Sequence, residues 1–122
     1  MIEIEYEIVG SGWANGQIGN GKEQIKFAVS YLNNSLKELA ESAIEIQEKD
    51  FKKVVFMEEP GEHVLILNRK NESEIDYELR WYEDYWSWNL IDEHKYKSVL
   101  KGETTVATFR NCLLYTSDAA DD

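Results

Sequence analysis

Residues 63–88, HVLILNRKNESEIDYELRWYEDYWSW, decide the fold. Two runs of alternating apolar residues flank the polar stretch Asn68, Arg69, Lys70, Asn71 and Glu72, the pattern of an antiparallel hairpin. In the second run Ile75, Tyr77, Leu79 and Trp81 share one face and Asp76, Glu78, Arg80 and Tyr82 the other, so this strand should be buried on one side. The first run is apolar on both faces, with Val64 and Ile66 opposite Leu65 and Leu67. It therefore reads as a central strand whose second face is also covered. Beyond it Trp81, Trp86 and Trp88 place three of the four tryptophans within eight residues.

Upstream, Ile2, Ile4, Tyr6 and Ile8 alternate with Glu3, Glu5 and Glu7, which predicts a half-buried strand. Gly10-Ser11-Gly12 turns it into a weaker strand over 13–18. Asn20-Gly21 then predicts a tight hairpin, with positive φ at both turn positions, into a strand burying Ile25, Phe27, Val29 and Tyr31. After Asn33-Asn34, Ser35 and Glu38 have capping-box spacing. Leu36, Leu39, Ala40, Ala43 and Ile44 repeat at helical spacing, predicting a helix over about 35–48 with this stripe on the core. A strand over 52–57 and a turn at Glu59-Pro60-Gly61-Glu62 lead into the hairpin. After Trp88, a short strand over 96–100 and a helix from about 105, capped by Thr104 or Thr105 and carrying Val106 and Phe109, complete the chain.

The fold class expected is thus α+β: a single domain over 1–111, with a largely antiparallel sheet of about seven strands, one full helix and a truncated C-terminal helix. Residues 112–122, CLLYTSDAADD, resemble one reading frame of a transposase mosaic-end adapter used in DNA sequencing. That resemblance implies that the native sequence is cut near Asn111. It also removes Cys112, the only cysteine, from any disulfide, thiolate or zinc chemistry. Without Asp118, Asp121 and Asp122 the chain carries 21 acidic against 13 basic residues, a net charge near −8 rather than −11. Such acidity argues against nucleic acid or an anionic membrane as partner and leaves room for a protein with a basic surface. No apolar run is long enough to span a membrane, and Glu3, Glu5 and Glu7 stand where a secretory signal has basic residues, so a cytoplasmic location is expected.

Little chemistry follows from motifs. Gly16-x-x-x-x-Gly21-Lys22 has phosphate-loop spacing, but Glu23 replaces the magnesium-binding hydroxyl and a strand follows instead of a helix. His63 and His94 share no metal-ligand spacing and read as strand-end or surface residues. No catalytic residue, metal site or cofactor site is expected. Glu58-Glu59 and Glu83-Asp84 are carboxylate pairs that would matter catalytically only inside a cleft. The sequons at Asn33 and Asn71 have no role in a cytoplasmic chain.

The candidate binding residues are Tyr82, Glu83, Asp84, Tyr85, Trp86 and Trp88, since rings with polar edges among carboxylates suit a protein interface. The same rings could stack on a sugar, or simply cover the end of the sheet. A concave pocket lined by Trp86, Trp88 and a buried carboxylate would mark a small-ligand or carbohydrate binder or a hydrolase. A flat or convex patch would mark an interface. Gly12-Trp13-Ala14, Val29-Ser30-Tyr31-Leu32, Glu59-Pro60-Gly61-Glu62 and Arg80-Trp81-Tyr82-Glu83-Asp84 are similar to stretches of small bacterial proteins of no assigned function, over about residues 1–110. That likeness implies the strand and helix order and no catalytic residue. In size, acidity and lack of native cysteine the chain also resembles immunity proteins, which neutralise basic partner toxins.

Overall fold

The computed structural model describes residues 1–10, 12–30, 35–58 and 61–112. The alternating N-terminal stretch forms β1 (Glu3–Gly10), followed by β2 (Trp13–Gly19) and β3 (Gln24–Ser30). Helix α1 (Ser35–Glu45) leads to β4 (Phe51–Met57), β5 (Glu62–Arg69), β6 (Glu74–Tyr82) and β7 (Lys97–Thr105). A second helix, α2, runs from residue 106 through 112. The chain is α+β, with seven antiparallel strands among the described residues.

The strands divide into two sheets, β1-β2-β3 and β4-β5-β6-β7, where a single sheet was expected. Helix α1 supplies the reason. Ser35 Oγ donates to the Val55 carbonyl at 2.7 Å and the Val55 N–H donates to the Glu38 carboxylate at 3.3 Å, so the helix takes the edge of β4 that β3 would need. The inner faces of both sheets then share one core. It contains Ile4, Tyr6, Ile18, Phe27 and Val29 from the first sheet and Val54, Phe56, Leu65, Leu67, Tyr77 and Leu79 from the second, closed by Leu39 and Ile46 on one side and Phe109 of α2.

The hairpin lies as its alternation dictates. β5 sits between β4 and β6 with Leu65 paired to Leu79 and Leu67 to Tyr77, and its residues 62–67 are buried. Asn71 Oδ1 closes the turn by accepting from the Ser73 and Glu74 N–H groups. The last strand runs five residues further than expected, because Gly102 does not end it. The Tyr77 ring lies over Gly102, its register partner, and covers the gap a missing side chain would leave. Burial pushes the Tyr77 phenol up to about 12, and its hydroxyl donates to the Met1 carbonyl.

Other local expectations needed correction. Asn20-Gly21 opens a four-residue loop, not a two-residue turn: Gly19 pairs with Gln24, only Gly21 has positive φ (+89°), and Asn20 Oδ1 accepts from the Lys22 and Glu23 N–H groups. In α1 the buried face is Ser35, Leu39, Ser42 and Ala43, continued by Ile46 just past its end. Ala40 and Ile44 are exposed, because Ser42 turns its hydroxyl to the Leu39 carbonyl and is admitted to the core. The helix stops at Glu45, three residues before the expected end. Thr105 does cap α2, accepting from the Thr108 N–H at 3.1 Å. Tyr31, Asn33-Asn34, Glu59-Pro60, the Leu36 side chain and residues 113–122 lie outside the described residues.

Candidate functional site

The outer face of the second sheet carries its own apolar cluster, Val55, Met57, Val64, Ile66 and Tyr82. Charged outer positions on β6 leave this face too polar to pack on another sheet, and the aromatic stretch covers it. Past Tyr82 the chain leaves the sheet, makes a 3-10 turn at Trp86–Trp88 and returns to β7, laying Tyr85, Trp86, Ile91 and Tyr96 on the cluster. Residues 83–96 thus form a strap. Asn89, left-handed at φ 60°, ends the 3-10 turn with its N–H on the Trp86 carbonyl.

Side chains hold the strap to the sheet. Trp86 stacks on Tyr82 with centroids 5.1 Å apart, under a Lys53 ammonium 4.1 Å from its ring. The Arg80 guanidinium lies 4.1 Å over Tyr96. Tyr82 donates to the Glu93 carbonyl at 2.7 Å, and the Tyr85 hydroxyl donates to the Glu58 carbonyl. Ser87 donates twice to Glu62, from Oγ at 2.7 Å and from its N–H at 3.2 Å. Glu62 is wholly buried, and burial raises its pKa above the ordinary carboxylate value despite the Ser87 bonds and nearby Lys53.

The predicted residues therefore separate. Tyr82 is fully buried and supports the surface without forming it. Asp84, Tyr85 and Trp86 are half-buried and Glu83 is exposed. Trp88 is 52% exposed, its ring set edge-on to Tyr85 at 5.0 Å, and Leu90 on the same turn is 57% exposed. Around them the strap carries Glu83, Asp84, Asp92 and Glu93.

Two features escaped the sequence reading. Glu62 was assigned to a turn, yet it lies in register with Val64 and Ile66 on the outer face. That two-residue spacing was the available signal. His63, expected as a strand-end or surface residue, does lie at the start of β5 but is buried in a stack with Phe27 and Trp81, each ring 4.9 Å away, and its Nδ1 meets the Glu58 carboxylate at 2.5 Å. A carboxylate fixes an imidazole tautomer in this way, which is one part of proton-transfer machinery. No nucleophile is joined to it among the described contacts.

Further along the outer face a trough of about 470 Å³ is lined by Ile66, Asn68, Asp76, Glu78, Lys101 and Glu103 together with Tyr77 and Gly102. It includes none of the aromatics from Tyr82 to Trp88. Its charges are paired within the protein. Burial opposes ionisation of Glu78, but bonds from Arg80 and Ser98 hold it below the ordinary value, and Lys70 bridges Asp76 and Glu103 at 3.4 and 2.9 Å. Among the described residues no three His, Cys, Asp or Glu side chains are grouped to hold a metal, and no helix is long and apolar enough to cross a membrane. Compared with family models, curated proteins and solved structures, the chain matches none.

Proposed function

We propose that the chain is a non-enzymatic protein-binding module that captures a partner with a basic surface through the tip of the strap. The observation that carries this reading is the exposure of Trp88 and Leu90 on a turn whose base is fixed by Tyr85, Ser87 and Tyr82. A large apolar pair held in one geometry loses little conformational freedom on binding, and tryptophan is a common anchor of interfaces. The acidic residues beside it, within a chain of net charge −11, favour encounter with a basic partner. The setting we propose is the bacterial cytoplasm, with the partner a basic toxin-like enzyme encoded by a neighbouring gene.

The test is a binding measurement of wild type and Trp88→Ala against that neighbouring gene product, with an oligosaccharide array as the second arm. Trp88→Ala should weaken protein binding about tenfold or more. Its folding stability should fall by only about 0.5–1.5 kcal/mol, the worth of the edge-on contact with Tyr85, well short of unfolding the chain. Unchanged binding of the variant, or oligosaccharide binding that depends on Trp88, would overturn the interface reading in favour of a ligand site.

A further inference from the structure

The strap is attached to the sheet in an unusual way. Residues 83–96 bond their backbone to one another, Trp88 to Tyr85, Asn89 to Trp86, Leu90 to Tyr85 and Lys95 to Asp92. No strand ladder joins it to β4, β5 or β6. Among the described residues its anchors to the sheet involve side chains, and the cluster beneath it is separated from the main core by the thickness of the sheet. Such a segment can leave without breaking any hydrogen bond between strands, the condition for local opening below the free energy of global unfolding.

We propose that residues 83–96 open as a unit while both sheets stay intact, with the Glu62–Ser87 pair as the latch. The pair is central because in it a buried charge-bearing group of the sheet is answered by both backbone and side chain of the 3-10 turn. Opening uncovers Val55, Val64 and Ile66 and gives the Glu62 carboxylate access to water.

The latch also gives opening a pH sense. The groups facing Glu62 are Lys53 on β4, which favours its ionised form, Glu38 on α1, which opposes it, the Ser87 donors of the strap, and the Tyr82 phenol paired with it on β6. The net result in the closed state is a raised pKa, led by burial. A carboxyl group that binds its proton more tightly when closed favours the closed form at low pH. That advantage is lost as pH rises from the ordinary carboxylate value through the raised one. Rising pH therefore loosens the strap. This does not depend on the partner proposed above.

Native-state hydrogen exchange on the full chain, read by peptide mass across pH and corrected for intrinsic rates, tests the latch. Amides of residues 85–91 should exchange faster than those of β5 and β6, and Ser87→Ala should speed them about tenfold while β5 stays protected. Opening should rise about threefold or more from low to neutral pH in wild type and lose that dependence in Glu62→Gln, which keeps an acceptor for Ser87. Strap amides that exchange only together with β5 and β6, or a pH dependence that survives in Glu62→Gln, would overturn the proposal.

Discussion

Tyr82→Ala is expected to destabilise the protein by about 3–5 kcal/mol, the range for removing a fully buried aromatic ring. Tyr82 is 0% exposed and is the largest side chain in the outer cluster. Its ring carries Trp86 on one side and Tyr96 on another, and its hydroxyl ties down the Glu93 carbonyl. Without it the strap has no floor, and a loss of this size is a large fraction of the 5–15 kcal/mol typical of a domain. Urea denaturation should show it as a lowered midpoint. Tyr82→Phe, which keeps the ring and loses only the hydroxyl bond, should cost about 1 kcal/mol. Equal losses for the two variants would mean that the hydroxyl, not the ring, organises the strap.

Gly61→Ala is the second large effect. A Cβ at residue 61 would stand 1.9 Å from the Tyr82 carbonyl oxygen and 2.9 Å from the Glu83 carbonyl carbon. Both are backbone atoms at the point where β6 leaves the sheet, so no side chain can swing aside to relieve the clash. The strand end and the strap must move instead, at a cost of about 3 kcal/mol. The same displacement shifts Glu62 against Ser87, so the alanine variant should also show faster exchange in the strap. A variant as stable as wild type would mean that the Gly61 turn and the end of β6 are not in contact at this crossing.

The central hairpin was legible because alternation reports directly on which side of a strand is buried, and residues 64–67 and 75–80 obey it; it fails at the end of β6, where Trp81 is only half-buried and Tyr82, expected on the more polar face, is fully buried under the strap. Composition could not separate one sheet from two. That choice rests on Ser35 and Glu38 bonding to the edge of β4, a contact between residues about twenty apart with no local pattern. The helix stripe was misread by one step because hydropathy credits Ile44 over Ser42, although a serine that bonds its own helix backbone packs well. In the aromatic stretch the residue types were visible and their roles were not. Tyr82, Trp86 and Trp88 look alike in sequence, and only the chain's departure from the sheet after Tyr82 sends the first inward and the last outward. Glu62 stayed hidden because a carboxylate beside Pro60-Gly61 reads as turn until Ser87, 25 residues away, is brought to it.

The arrangement of the strap underlies both the site and its proposed function, and the solvent exposure of the individual tryptophans tests it most directly. Fluorine-labelled tryptophan gives one resonance for each of Trp13, Trp81, Trp86 and Trp88, assignable by single Trp→Phe variants. The shift of each between light and heavy water reports its contact with solvent. Trp88, 52% exposed, should show the largest shift, and half-buried Trp86 a clearly smaller one. A Trp88 resonance as protected as that of Trp86, or a Trp86 resonance as exposed as that of Trp88, would contradict the strap and the surface it presents.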